Sequence, residues 1–298
     1  MKSLQNLTSK IKGSLYGFAI GDAMGATTEF MDETQIKEKY GEVRDIIGGG
    51  WLHLKAGEVT DDTQMMMCVC DAIEYGFGPV RNWSYHEHDS REAAMLDRCC
   101  ANFVDWYNTN PKDIGNCCRR VIESCINNTN YKYWIDIANN PDSLGNGSLM
   151  RTLPIILSGQ SEDLAMLQGR LTHNNKICDL SIELYYKNLE ELLYYNTFRN
   201  ISDFLVEPSG HTYHTLSNAL YWVQRTNSLE EAIVRAVNHG GDADTIAAIT
   251  GSLAGALYGY EAIPQRWIEQ LSPDVKVELD KYAKIFEKVN KKVCTNLE

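Results

Sequence analysis

The chain has 298 residues, of which 44% are hydrophobic and 23% are charged, and these proportions are typical of a folded globular protein. Its formal net charge of −12 argues against a nucleic-acid partner, because contacts with phosphates require clustered Lys and Arg. No run reaches the roughly 18 apolar residues of a membrane-spanning helix, so a membrane protein is excluded.

The nine cysteines form no CxxC pair and so do not indicate a zinc site. The first twelve residues also lack the apolar segment of a secretory signal. An odd number of cysteines without such a signal is typical of free thiols in a reducing compartment. We therefore predict a cytoplasmic protein.

Apolar residues recur at helical intervals along the chain, whereas long alternating runs of β-branched residues are scarce. No Ser/Gly-rich or highly charged linker interrupts the pattern. The sequence therefore predicts an all-α protein with one domain over residues 1–298. The six clearest helical segments are 7–18, 65–73, 99–107, 182–193, 232–237 and 246–257.

Three further segments have a structural interpretation. Residues 79–91 are predicted to be an irregular surface loop, and we interpret His86 and His88 within it as incidental rather than as metal ligands. The basic residues of 281–292 are predicted to lie on a solvated helix face. In the last predicted core helix, Gly251 and Gly255 lie on one face, which indicates that another backbone packs very closely there.

A glycine-rich segment, Gly21 to Phe30, follows the first helical stripe. The glycines are predicted to interrupt that helix and to leave Asp22 and Glu29 near its end. Asp22 fits either a structural hydrogen bond or a site, and Glu29 fits either a solvent-exposed position or a site.

Two acidic motifs precede helical stripes, Thr60-Asp61-Asp62-Thr63 and Gly240-Gly241-Asp242-Ala243-Asp244-Thr245. Each motif taken alone fits an N-cap with first-turn acids. One acceptor satisfies a cap, however, and four carboxylates exceed that need. If the two helix starts converge, divalent cations such as Mg²⁺ or Mn²⁺ would relieve the repulsion between these carboxylates.

A second glycine-rich segment runs from Leu144 to Arg151 and leads into an apolar stretch that Pro154 is predicted to interrupt. Backbone of this kind can approach a diphosphate closely and donate N–H groups to it. A simple loop-to-helix junction would have a similar sequence.

Together these blocks resemble the ADP-ribosylglycohydrolase family in their order and approximate spacing, from about residue 10 to residue 260. The closer likeness, to dinitrogenase reductase-activating glycohydrolases, is carried by segments 28–31, 48–51, 57–59 and 113–120. The matching blocks are Gly21-Asp22-Ala23-Met24-Gly25, Thr60-Asp61-Asp62-Thr63, Gly145-Asn146-Gly147-Ser148-Leu149-Met150-Arg151, Leu171-Thr172-His173 and Gly240-Gly241-Asp242-Ala243-Asp244-Thr245.

The resemblance implies an all-α orthogonal helical bundle that removes ADP-ribose from protein side chains, most often from arginine. It also implies two Mg²⁺ or Mn²⁺ ions at the bottom of a cleft. Asp62, Glu29 and Asp113 are the implied candidates for proton transfer. The implied metal ligands are Thr60, Asp61, Asp62, Asp242, Asp244 and Thr245. The implied substrate contacts are Asn116, Gly145, Asn146, Gly147, Ser148, Leu149, Met150 and His173.

Two rival functions fit parts of the pattern. An isoprenoid synthase also combines two acidic motifs with Mg²⁺ in an all-α fold, but its first motif has a third Asp where Asp61-Asp62 is followed by Thr63-Gln64-Met65. A catalytically silent ADP-ribose-binding protein would have lost metal ligands. Every expected ligand type is present in this chain, which favours the hydrolase.

Overall fold

The structure is a computed structural model that describes residues 2–78, 88–199 and 202–295. Within these residues the protein is built from α-helices and two short 3₁₀-helices, and its β-contacts are isolated bridges. The predicted all-α class is confirmed. The helices are α1 (Lys2–Gly25), α2 (Glu33–Tyr40), α3 (Asp61–Phe77), α4 (His88–Tyr107), α5 (Asn116–Cys125), α6 (Tyr131–Ile137), α7 (Leu153–Leu157), α8 (Glu162–Arg170), α9 (Lys176–Tyr195), α10 (Thr212–Arg225), α11 (Leu229–His239), α12 (Ala243–Tyr258), α13 (Gln265–Gln270) and α14 (Pro273–Thr295), with 3₁₀-helices η1 (Asn146–Ser148) and η2 (Tyr260–Ala262).

The six predicted helical segments correspond to α1, α3, α4, α9, α11 and α12. Several helices that the sequence did not indicate, such as α6, α7 and α13, have only five to seven residues. Such helices complete too few turns to show a clear period, and tertiary packing stabilises them. Pro154 is the second residue of α7, so it marks the place in the apolar stretch where this short helix begins. A proline at this position begins a helix because its missing N–H has no intrahelical partner there.

Helix α12 lies at the centre of the fold, and α1 packs along it. A Cβ atom at Gly251 would overlap the carbonyl of Gly17, and one at Gly255 would overlap the carbonyl of Gly13. The close backbone approach predicted for α12 is therefore confirmed. Helix α1 continues through its glycines as far as Gly25, so the predicted interruption was wrong. These glycines serve helix packing and do not break the helix.

The packing of α1 on α12 determines where the ends of the helices lie. A Cβ atom at Gly25 would overlap the backbone of Ala243 and Asp244, so the end of α1 touches the start of α12. Asp22, in the last turn of α1, accepts hydrogen bonds from the backbone N–H groups of Thr60 and Thr63, so the start of α3 lies at the same place. Three helix ends therefore meet at one point.

Two peripheral predictions can be compared with the structure in part. Residues 79–87 of the predicted loop lie outside the described residues, but helix α4 begins at His88, so the predicted extension of the loop to residue 91 was wrong. In the basic run, Lys281 is partly exposed and forms ion pairs with Glu74 and Glu278. No helix of the described residues is long and apolar enough to cross a membrane.

Candidate active site

An open cleft of about 580 Å³ lies where the ends of α1, α3 and α12 meet, beside α5 and η1. This volume is in the range of small-molecule sites. Four of its lining residues are the aspartates of the two acidic motifs, at the starts of α3 and α12. The carboxyl groups that line it belong to Glu29, Asp61, Asp62, Asp113, Asp142, Asp242 and Asp244.

The first acidic motif lies at the start of α3. Thr60 is the N-cap, and its Oγ1 accepts a hydrogen bond of 3.3 Å from the backbone N–H of Asp62. Both Asp61 and Asp62 are buried, and Oδ2 of Asp61 accepts a hydrogen bond of 3.3 Å from the backbone N–H of Gly115. The cap is therefore formed by Thr60, which leaves the two carboxyl groups for the cleft.

The second acidic motif lies at the start of α12. Asp242 occupies the N-cap position without a side-chain capping bond, and its Oδ2 accepts a hydrogen bond from Nδ2 of Asn146. Oδ1 of Asp244 accepts a hydrogen bond of 2.9 Å from the N–H of Thr245. Oγ1 of Thr245 in turn donates to Oδ1 of Asp62 at 3.4 Å. The two motifs thus converge, as a shared cation site requires.

Glu29 lies on the segment that follows α1, and it is only 6% exposed. The solvent-exposed alternative considered from the sequence was therefore wrong. Its Oε2 accepts a hydrogen bond of 2.5 Å from Nε1 of Trp51. Glu29, Asp242 and Asp244 each offer an oxygen within 4.8 Å of the others. Burial, with repulsion from Asp113 and neighbouring carboxylates, raises the pKa of Glu29 to about 9.

Asp22 is fully buried behind the cleft and does not line it. Its carboxylate accepts hydrogen bonds from the backbone N–H groups of Thr60 and Thr63 and from the hydroxyl of Thr63. Burial raises the pKa of Asp22 to about 6, although these hydrogen bonds favour the ionised form. Of the two alternatives left open for Asp22, the structural hydrogen bond is the one observed.

The carboxyl cluster suits hard divalent cations. Burial first, and repulsion from neighbouring carboxylates second, raise the pKa values of Asp61, Asp62 and Asp244. Oδ2 of Asp62 is buried and has no hydrogen-bond partner among the described residues. Buried carboxylates need a compensating charge, and oxygen-rich sites are those that Mg²⁺ and Mn²⁺ prefer. The residues present therefore fit such cations.

The glycine-rich segment forms a turn, η1, on one wall of the cleft. Gly145, Asn146, Gly147 and Met150 line the cleft. Ser148 and Leu149 are fully buried and do not line it. Only part of the implied substrate-contact segment thus faces the cleft, because the 3₁₀ turn directs the remaining side chains into the core.

His173 packs against this turn. Its Nδ1 lies 2.8 Å from Oγ1 of Thr172, which also accepts a hydrogen bond of 2.8 Å from Arg151. Burial, followed by the nearby Arg151 charge, lowers the pKa of His173 to about 3, so the ring is neutral. A Cβ atom at Gly147 would lie 3.0 Å from Cε1 of His173, which explains why this position of the turn has no side chain.

Asp113 and Asn116 also line the cleft, just before and at the start of α5. Burial raises the pKa of Asp113, which lies close to Asp61 and Glu29. The structure therefore places Asp113, an implied candidate for proton transfer, beside the carboxyl cluster, and it places the implied substrate contact Asn116 in the same cleft.

Several residues at the cleft were not predicted as site residues, and three of them have side chains that bear on its chemistry. Phe30 and Arg120 line it, and Trp51 contacts Glu29 and Phe30. Trp51 follows three consecutive glycines, all with positive φ, and that unusual run was the available sequence signal. Arg120 had no comparable signal because an arginine in an amphipathic helix is common.

Comparisons with known proteins agree with this geometry. The family model described as ADP-ribosylglycohydrolase matches residues 3–186 and 181–294. The ADP-ribosyl-[dinitrogen reductase] glycohydrolase of Rhodospirillum rubrum is 32% identical over 289 residues, covering 89% of this chain and 90% of the relative. The ADP-ribosylarginine hydrolase Tri1 of Pseudomonas putida (strain GB-1) is 29% identical over 300 residues, covering 88% and 74%. A solved structure titled ADP-ribosylglycohydrolase-related protein complex superposes with a TM-score of 0.75 at 26% identity, covering 96% of this chain and 99% of that one.

Proposed function

The chain belongs to the ADP-ribosylglycohydrolase family, and from this membership we propose that it is a metal-dependent hydrolase that removes ADP-ribose from protein side chains, chiefly from N-linked ADP-ribosyl-arginine. The relatives named as glycohydrolase and ADP-ribosylarginine hydrolase support the reaction and suggest the acceptor. We further propose that residues 1–298 form one domain and that the protein is cytoplasmic.

The observation that carries the proposal is the convergence of two acidic helix starts at the bottom of one cleft. Capping does not account for it, because Thr60 caps α3 and Asp242 makes no side-chain cap. We propose that two Mg²⁺ or Mn²⁺ ions bind there, with Glu29 as a further ligand candidate because of its position beside Asp242 and Asp244. The proposed ligands are Thr60, Asp61, Asp62, Asp242, Asp244 and Thr245.

Cations of this kind supply Lewis acidity toward the ribose hydroxyls and a water molecule of lowered pKa. Cleavage of the N-glycosidic bond then requires a proton for the leaving nitrogen and removal of a proton from the water. Asp62, Glu29 and Asp113 all line the cleft, so each can reach a bound substrate. We propose these three carboxyl groups as the candidates for proton transfer.

We propose that the ADP part of the substrate lies along the turn of Gly145 to Met150 and His173. The neutral ring of His173 offers a hydrogen bond without adding charge. Among the cleft-lining residues described by the structure, Arg120 supplies a formal positive charge for the diphosphate. Asn116 faces the same cleft and is proposed to contact the released side chain.

The test is release of ADP-ribose from arginine-, serine- and nucleic-acid-linked substrates by the purified protein, with Mg²⁺ or Mn²⁺ and with chelator. We expect release from the arginine linkage that stops with chelator. Asp61→Asn should lower kcat/KM by at least about 100-fold, whereas Asp136→Asn, an equivalent change at an exposed position of α6, should not. Binding without release from any substrate would instead identify a catalytically silent ADP-ribose-binding protein. Release that survives both chelation and Asp61→Asn would rule out the metal mechanism.

A further inference from the structure

Two aromatic side chains, Phe30 and Trp51, form an exposed pair at the edge of the cleft, called here the aromatic lip. Phe30 is 67% exposed and Trp51 is 47% exposed, and their ring centroids are 5.4 Å apart. Phe30 itself lines the cleft. Large apolar rings that remain exposed together beside a cleft often contact a ligand.

The backbone of Phe30 is held in a conformation that bulky residues rarely adopt, with φ of 62°. Its N–H donates to the carbonyl of Gly241 at 2.7 Å, and the N–H of Gly241 donates to the carbonyl of Met31 at 2.8 Å. Local strain of this kind persists where surrounding contacts enforce it, and it is concentrated at functional sites. The backbone of Phe30 is therefore fixed beside the second acidic motif, so its ring starts from a defined position at the cleft edge.

The lip is also joined to the carboxyl cluster, because Nε1 of Trp51 donates to Oε2 of Glu29. Asp113 lines the same cleft and lies close enough to Glu29 to raise its pKa. The positively charged Arg120 lies instead toward His173, whose pKa it helps to lower. A side chain that leaves the cleft past the lip would thus meet an aromatic ring and carboxyl groups together.

A planar cation fits such surroundings. The guanidinium of arginine stacks on aromatic faces and donates hydrogen bonds to carboxylates, whereas a serine hydroxyl offers neither a flat surface nor a charge. We propose that Phe30, supported by Trp51, stacks on the guanidinium of ADP-ribosylated arginine and makes the cleft prefer a cationic acceptor to a neutral one. This inference rests on the proposed function and assigns its acceptor selectivity to the lip.

The test compares kcat/KM for two peptides of otherwise identical sequence, one with ADP-ribosyl-arginine and one with ADP-ribosyl-serine. Phe30→Leu should lower the arginine-to-serine ratio by about 5- to 30-fold, the size of a partly desolvated cation–π contact. Phe30→Tyr, which keeps the ring, should preserve the ratio. Phe204→Leu, at another exposed phenylalanine outside the cleft, is the matched control and should leave it unchanged.

Trp51→Phe separates stacking from positioning, because it retains a ring and removes the N–H that reaches Glu29. We expect kcat to fall on both substrates with the ratio kept, while the affinity for ADP-ribose, measured by calorimetry, stays within about twofold. The same calorimetry shows whether Phe30→Leu is folded and binds product normally.

If Phe30→Leu kept the wild-type arginine-to-serine ratio of kcat/KM, with or without an equal loss on both substrates, the inference would be overturned. The proposed hydrolase function would still stand. A wild-type protein that releases only serine-linked ADP-ribose would also overturn the inference. Absence of release by the wild type from every substrate would instead refute the proposed function, so the two failures are distinguishable.

Discussion

The carboxylate of Asp22, near the end of α1, accepts a hydrogen bond of 3.0 Å from the backbone N–H of Thr60, the N-cap of α3. The same carboxylate accepts the N–H of Thr63 at 3.1 Å. Asp22 thereby satisfies two N–H groups at the start of α3 and fixes the first acidic motif against α1.

We expect Asp22→Ala to lower the free energy of unfolding by about 1–3 kcal/mol, because it leaves buried N–H groups of Thr60 and Thr63 without an acceptor. It should also weaken cation binding, since Asp61 and Asp62 would lose their support. Urea unfolding and a Mn²⁺ titration measure the two effects. Asp136→Ala is the control, and an equal effect of the two substitutions would contradict the structural role of Asp22.

Gly251→Ala should destabilise the protein by about 1–3 kcal/mol or more, because its Cβ atom would overlap the carbonyl of Gly17 in a rigid helix. Thermal unfolding gives the measurement. Gly115→Ala is the control, since a Cβ atom there meets nothing within 4 Å. If Gly251→Ala were as stable as this control, α1 and α12 could not be in backbone contact.

Cation binding at pH 7 should release on the order of one proton, because the pKa of Glu29 is about 9 in the cation-free protein and binding requires the ionised form. Calorimetry in two buffers of different ionisation enthalpy measures the release. Glu29→Gln should lower the release by about one proton. Equal apparent enthalpies in the two buffers would contradict the prediction.

The same raised pKa determines how the stability of the cation-free protein depends on pH. The pKa of Glu29 is about 9 in the folded protein and 4.5 in the unfolded chain. Its contribution to the free energy of unfolding is therefore fully present below pH 4.5 and is lost as the pH rises toward 9. Saturating Mg²⁺ or Mn²⁺ should remove this loss. Unfolding curves with cation and with chelator, recorded from pH 5 to pH 8.5, should diverge as the pH rises.

His173 makes stability depend on pH in the opposite direction, because its pKa of about 3 in the folded protein lies below the unfolded value of 6.5. The unfolded chain takes up a proton first, so stability is lost as the pH falls below 6.5. From pH 8 to pH 5 this loss amounts to about 2 kcal/mol. The stability difference between the wild type and His173→Asn should shrink by that amount, and a pH-independent difference would contradict burial of the neutral ring.

Arg120→Gln should raise the dissociation constant for ADP-ribose by about 10-fold or more, since charge-assisted hydrogen bonds contribute about 1.5–3 kcal/mol. Affinity for adenosine, which lacks the diphosphate, should be unchanged. Arg235→Gln removes the same charge from an exposed position of α11 outside the cleft and is the control. Equal losses for both ligands would show that Arg120 does not contact the diphosphate.

Local patterns made part of the site predictable. Thr60 and Asp242 stand directly before apolar helical stripes, so their positions at the starts of α3 and α12 followed from the sequence. The two motifs carry four carboxylates, whereas each helix cap needs one acceptor, and these additional carboxylates indicated a cation site. The small-residue spacing of Gly251 and Gly255 likewise indicated that a second backbone lies against α12.

Other features depended on the packing of distant segments. The burial of Glu29 results from contacts of its segment with Gly241 and Trp51, and no local pattern encodes those contacts. The orientation of the glycine-rich turn, with Gly147 toward the cleft and Ser148 toward the core, was also undetermined.

The sequence by itself therefore determined the helical class, the family and the residue types available for catalysis, because helical period, capping and motif order are properties of neighbouring residues. Only the tertiary structure decided that Asp62 and Thr245 meet and that Phe30 and Trp51 form the aromatic lip. The physical reason is that α1 packs on α12 through glycine backbone, which brings together residues far apart in the chain.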